Sequence, residues 1–125
     1  AALGLETAVK FIQSLDRKAV EEYEEYLLSY ATERLSKIDG IRFIGQAPKR
    51  SGLISFLIDN IHPYDLGTIV DKMGVALRTG HHCAEPVMTF FDIPGTVRAS
   101  FALYNTTEEI DIFIKAVERA ANMLR

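Results

Sequence analysis

Leu53-Ile54-Ser55-Phe56-Leu57-Ile58 is the stretch on which the fold turns. Five of its six residues are apolar, several are β-branched or aromatic, and none is Gly or Pro, the composition of a strand with neighbours on both sides. The run 45–52 before it holds Pro48 and two glycines, which is turn chemistry. Upstream of that run, Ile41-Arg42-Phe43-Ile44 reads as a shorter strand. Downstream, His62-Pro63 opens a helix with Pro63 near its first position. Leu66, Ile69, Val70 and Met73 form that helix's apolar stripe, and Gly74 ends it. Val75-Ala76-Leu77-Arg78 predicts another strand and Thr79–Gly95 a long irregular stretch. The alternating run Val97–Leu103 predicts the last strand.

Helical periodicity brackets this β region. Residues 1–4 carry weak structural signals, but Leu5, Ala8, Val9, Ile12 and Leu15 share one helical face. Asp16 suits an N-cap for a longer helix with Val20, Tyr23, Leu27, Tyr30, Ala31 and Leu35 on its apolar side, ending near Ile38 before Asp39-Gly40. Glu21, Glu22, Glu24 and Glu25 fall on its solvated face near the positive end of the dipole. Thr106-Thr107-Glu108-Glu109 spells a capping box. The helix it opens should bury Ile110, Phe113, Ile114, Val117, Ala121 and Leu124. The order α-α-β-β-α-β-β-α with short connections predicts an α+β domain spanning 1–125: a small, mostly antiparallel sheet with helices packed on one face.

Composition narrows the function. Of 125 residues, 48% are apolar and 25% charged, which excludes a disordered, collagenous or coiled-coil chain. The net charge is −3, without the basic excess or stripe of a nucleic-acid binder. No apolar run approaches a membrane span and no basic-then-apolar leader opens the chain, so no membrane or secretory role is expected. The single cysteine, Cys83, rules out an internal disulfide and a multi-cysteine metal site, and suits a reducing compartment such as the cytoplasm.

Chemistry concentrates in Arg78-Thr79-Gly80-His81-His82-Cys83-Ala84-Glu85-Pro86. A His-His-Cys zinc site is one reading, but adjacent ligands rarely converge on one ion and only His62 is available as a further histidine. A reactive Cys83 is a second reading, its thiol tuned by His81, His82 and Arg78. A buried structural Cys is the third. Arg98 interrupts the apolar strand Val97-Arg98-Ala99-Ser100. It marks either an exposed strand face or a fork that grips a planar anion such as a carboxylate. His62 reads as a helix-entry residue, Tyr64 and Asp65 as first-turn residues, and Lys49-Arg50 as a solvated loop tip. The glycine-rich phosphate loops, H-E-x-x-H and G-x-S-x-G are all absent.

The nonapeptide 78–86 resembles the R-[TA]-G-H-H-C-A-x-P signature of SufS-type cysteine desulfurases, relatives of the class V aminotransferases. Val97-Arg98-Ala99-Ser100, Leu103-Tyr104-Asn105-Thr106, Gly4-Leu5 and Glu22-Tyr23-Glu24 extend the resemblance over almost the whole chain. The resemblance implies the C-terminal small domain of a fold-type I pyridoxal-phosphate enzyme that converts L-cysteine to L-alanine for iron–sulfur cluster assembly. It implies that Cys83 stores the sulfur as a persulfide and that Arg98 holds the substrate carboxylate. Arg78 is a weaker substrate-binding candidate, and His81 and His82 shape the loop and tune the thiol. Pyridoxal phosphate is held in this family by a lysine in a preceding large domain. None of Lys10, Lys18, Lys37, Lys49, Lys72 or Lys115 has the expected His-Lys context. The isolated chain, which also lacks an initial Met, is therefore expected to be an excised domain that binds no cofactor tightly and catalyses nothing. The large domain and a homodimer partner are implied as neighbours, with a sulfur-acceptor protein as partner. Tyr64 stands where the SufU-linked branch carries a second His, which favours a SufE-like acceptor over a SufU-like one. Selenocysteine lyase, or a non-catalytic sulfur-carrier module, is the alternative.

Overall fold

β2 (Leu53–Ile58) sits between two partners in the computed structural model, which describes residues 2–125. Its alternation is the cause of the layering: Ile54, Phe56 and Ile58 are buried, while Leu53, Ser55 and Leu57 on the opposite face are only partly covered. β1 (Ile41–Ile44) pairs antiparallel on one side and β4 (Thr96–Ser100) on the other. β3 (Arg78–Gly80) closes the far edge, for the order β1-β2-β4-β3 with every pair antiparallel. α2 (Arg17–Leu35), α3 (Pro63–Lys72) and α5 (Thr107–Leu124) pack on the face that carries Phe56, Val97 and Ala99. The expected α+β class, antiparallel sheet and one-sided helical layer are all present.

Local chemistry explains the helix starts. The Asp16 carboxylate accepts from the backbone N–H groups of Lys18 and Ala19, capping α2. The capping box of α5 is complete: Glu109 N–H donates to the Thr106 hydroxyl and Thr106 N–H donates to the Glu109 carboxylate. α5 buries Ala116 and Ala120 beside Ile110, Phe113, Val117 and Ala121, because small residues let it lie close to α2 and α3; Ile114 and Leu124 are only partly covered. At the rim, Arg34 pairs with Asp111 at 3.2 Å and lies over the Tyr30 ring, while the Tyr30 hydroxyl donates to the same carboxylate.

Five details depart from the sequence reading. Helix α1 (Ala2–Ser14) begins within the stretch expected to be weak, Ala1 lying outside the described residues, and it buries no side chain. Tyr23 leaves the apolar side of α2 and donates its hydroxyl to the Asn105 carbonyl at 2.8 Å. Val75–Leu77 is not a strand: it lines a groove of about 390 Å³ together with Ala99–Phe101, and pairing to β4 starts only at Arg78. β4 stops at Ser100 because the Asn105 side chain captures the Ala102 N–H at 2.9 Å, turning the chain toward α5. The stretch Thr79–Gly95 holds the short helix α4 (Glu85–Phe91), with Pro86 in its first turn and Asp92 ending it in a left-handed conformation. Among the described residues no helix is long and apolar enough to cross a membrane.

The packing predicts where stability resides. Phe56 is fully buried against Phe113, so Phe56→Ala should cost about 3–5 kcal/mol in chemical denaturation. Val9 on α1 is 44% exposed, and Val9→Ala should stay within about 0.5 kcal/mol of the parent.

Candidate active site

The pleat of β4 decides which residues meet. Val97 and Ala99 point into the helical layer, so Thr96, Arg98 and Ser100 belong to the other face. Pairing registers then bring Ser55 of β2 and Arg78 of β3 to either side of Arg98. Arg98 is half-buried, and its Nε is buried without a protein partner; Arg78 is exposed. Two guanidiniums on directly opposed residues repel, and an anion between them relieves that repulsion. Arg98 thus stands on the sheet face away from the helices, neither in the core nor freely solvated.

The loop that leaves β3 folds back over this face. Gly80 and Gly95 make the return possible. Both have positive φ, and a Cβ on Gly95 would sit 3.0 Å from the Gly80 carbonyl carbon and oxygen. His82 and Cys83 follow with φ of 58° and 57°, two consecutive left-handed residues that are not glycine. The Ala84 N–H donates to the His81 carbonyl at 2.9 Å, and His81 Nδ1 lies 2.5 Å from the Glu85 carboxylate. The His82 ring reaches down to β4, its Nε2 3.2 Å from the Thr96 carbonyl oxygen and 3.1 Å from the Thr96 hydroxyl. Ser55 donates to that hydroxyl at 2.7 Å.

Cys83 is a free, exposed thiol two residues before α4, so the buried structural reading fails. Partial burial pushes the His82 pKa below its usual value; the hydrogen bond to the Thr96 backbone works against this, and the charges of Arg98, Arg78 and His81 add to it. His82 is therefore neutral near pH 7, and the positive field around the loop comes from the arginines. Among the described residues no three His, Cys, Asp or Glu side chains gather as a metal site. His62 is an N-cap, its Nδ1 accepting from the Tyr64 N–H at 3.3 Å. The lysines stand on α1 (Lys10), α2 (Lys18), the turn after it (Lys37), the β1–β2 loop (Lys49), α3 (Lys72) and α5 (Lys115), none of them on β3, β4 or the connection between. Sequence reasoning missed Ser55 and Thr96, although polar residues alternating with buried apolar ones on adjacent strands were a signal for them.

Known proteins share both this chain and this shape. The aminotransferase class-V family model matches residues 1–113. A probable cysteine desulfurase of Halalkalibacterium halodurans is 43% identical over 118 residues, covering 94% of this chain and 29% of that protein. One from Vibrio cholerae is 44% identical over 123 residues, covering 98% and 30%. Among solved structures, the cysteine desulfurase CsdA of Escherichia coli in its S-sulfonic acid form superposes with a TM-score of 0.89 at 34% identity, over 98% of this chain and 30% of that one. The apo cysteine desulfurase of Thermococcus onnurineus NA1 gives 0.90 at 35% identity, over 98% and 31%. The chain thus spans about 30% of the length of these two relatives. With the fold, the loop and the matched span in agreement, the chain belongs to the aminotransferase class-V family.

Proposed function

We propose that this chain is the C-terminal small domain of a SufS-type cysteine desulfurase and that it supplies the substrate-carboxylate grip and the sulfur acceptor. The observation that carries the reading is an exposed Cys83 thiol on a left-handed turn, tied by its neighbour His82 to the strand that bears Arg98. In the overall reaction, L-cysteine and the Cys83 thiol give L-alanine and a Cys83 persulfide. The substrate's C–S bond breaks, an S–S bond forms on Cys83, and hydrogen replaces sulfur on the amino-acid carbon. Arg98 holds the carboxylate with two parallel N–H donors, strengthened by partial burial, and Arg78 adds a second positive charge at the same edge.

Membership of the family implies pyridoxal phosphate, an electron sink that needs a lysine beside the substrate. The residues of this chain do not fit that cofactor: its lysines all stand away from β3, β4 and the Cys83 loop. On this reading the cofactor belongs to a separate large domain. The 125 residues alone should retain no cofactor absorption after gel filtration and should release no alanine. The same reading takes the persulfide to a SufE-like acceptor for iron–sulfur cluster assembly in the cytoplasm. The exposed Tyr64 at the position of the SufU-type histidine supports that preference.

Two outcomes are expected. In the full-length protein given L-cysteine, the peptide containing Cys83 gains one sulfur by mass spectrometry, and Cys83→Ala gains none. Arg98→Lys, which keeps the charge but loses the fork, raises the KM for L-cysteine about tenfold to a hundredfold. Sulfur found on another residue of Cys83→Ala, or an unchanged KM in Arg98→Lys, would overturn the assignment.

The lowered pKa of His82 also sets a pH dependence. The folded chain resists protonation that the unfolded chain accepts at about pH 6.5, so stability is full above that value and falls as the pH drops through it toward the depressed folded value. The melting temperature should fall between about pH 7 and about pH 5, and fall less in His82→Asn, which cannot be protonated. Parallel melting curves for the two proteins would refute the linkage.

A further inference from the structure

Among the described residues Thr96 is the only buried polar side chain, at 1% exposure. It opens β4 on the face turned away from the helices, two residues before Arg98. A buried hydroxyl persists where it is hydrogen-bonded, and the partners here are specific. Ser55 donates to it from the neighbouring strand at 2.7 Å, and His82 Nε2 lies 3.1 Å away. The same nitrogen lies 3.2 Å from the Thr96 carbonyl oxygen. A carbonyl oxygen only accepts, so Nε2 carries the proton and shares it between the two oxygens of Thr96. Nδ1 is buried without a partner. A proton there would be a buried donor with no acceptor, close to two guanidiniums. The ring is therefore the neutral Nε2–H tautomer.

This tie matters because of the backbone it restrains. His82 and Cys83 both hold left-handed φ values that branched and ordinary side chains avoid. The other restraints on the turn, the Ala84 N–H to His81 carbonyl bond and the His81–Glu85 pair, lie within the loop itself. Among the described residues, the contact from His82 to Thr96 is the side-chain hydrogen bond that ties the turn to the sheet.

We propose that Thr96, backed by Ser55, is a positioning residue that fixes the His82 tautomer and pins the His82-Cys83 turn to β4, holding the Cys83 sulfur at the edge of the Arg98 face. The inference rests on the reading of Cys83 as sulfur acceptor. Neither hydroxyl touches substrate; both act through His82.

The test combines a spectroscopic readout with a kinetic one on the full-length protein. Nitrogen-15 NMR of histidine-labelled protein, with the His82 signals identified by their loss in His82→Asn, should show Nε2 protonated and Nδ1 bare in the parent. Thr96→Val keeps the side-chain shape and deletes the hydroxyl. It should speed solvent exchange of the Nε2 proton about tenfold and lower the maximum rate of sulfur capture on Cys83 about tenfold, with the KM for L-cysteine unchanged. Thr96→Ser should restore both to within about twofold. Should Thr96→Val not fold, Ser55→Ala serves instead, with an expected effect of about threefold on each readout. A parent ring protonated on Nδ1, or exchange and capture rates that are the same in Thr96→Val (or Ser55→Ala) as in the parent, would overturn the proposal. A parent that captures no sulfur on Cys83 would instead defeat the functional reading, while the NMR still judges the anchor.

Discussion

β4 is hydrogen-bonded along both edges, to β2 and to β3, and its five residues serve two environments at once. Val97 and Ala99 enter the core, while Thr96 and Arg98 face the loop. A one-residue slip would drive the Arg98 guanidinium into the layer of Phe56, Phe113 and Val117 and turn Val97 outward. Burying an unpaired cation costs several kcal/mol, against the ~1.5–3 kcal/mol that each core side chain gains. The register is therefore held by both faces together. The same constraint that builds the core delivers Arg98, Thr96, Ser55 and Arg78 to one surface.

That surface is polar and under tension. Arg78 and Arg98 oppose each other across the β3–β4 ladder, an arrangement that costs a few tenths to ~1 kcal/mol when nothing lies between. Two left-handed residues above it add backbone strain. Neither feature lies in the core. Backbone strain and two opposed arginines are gathered at one place, on the loop that carries the chain's single thiol and the strands beside it.

Much of this was legible in the sequence. The Asp16 cap, the Thr106 capping box, the alternation of Leu53–Ile58 and the concentration of Arg, His and Cys in 78–86 are local signals, and local chemistry set them. What could not be read depended on partners far along the chain. Val75–Leu77 has a strand's composition but no ladder partner, the pairing to β4 beginning only at Arg78. α4 was hidden because only Met88 of its seven residues is buried, which leaves no helical stripe to detect. Alternation showed that Arg98 was set apart from Val97 but not which side faced water. The Thr96–His82 contact joins residues on opposite sides of a turn whose course no propensity announces.

The distribution of apolar surface follows the same division. α2, α3 and α5 spend their apolar stripes on the sheet, whereas α1 leaves Leu5, Val9 and Ile12 exposed at 68%, 44% and 57%. A helix of 13 residues without tertiary packing is marginal in water, so its amphipathic pattern is not explained by the contacts inside this chain. Phe90 on α4, seven residues after Cys83, is 82% exposed. On the proposed reading these faces lie toward the rest of a desulfurase, of which the chain is about 30% by length of its relatives. The half-buried state of Arg98 fits the same reading: the sheet encloses one side of the guanidinium, and a covering domain would enclose the other.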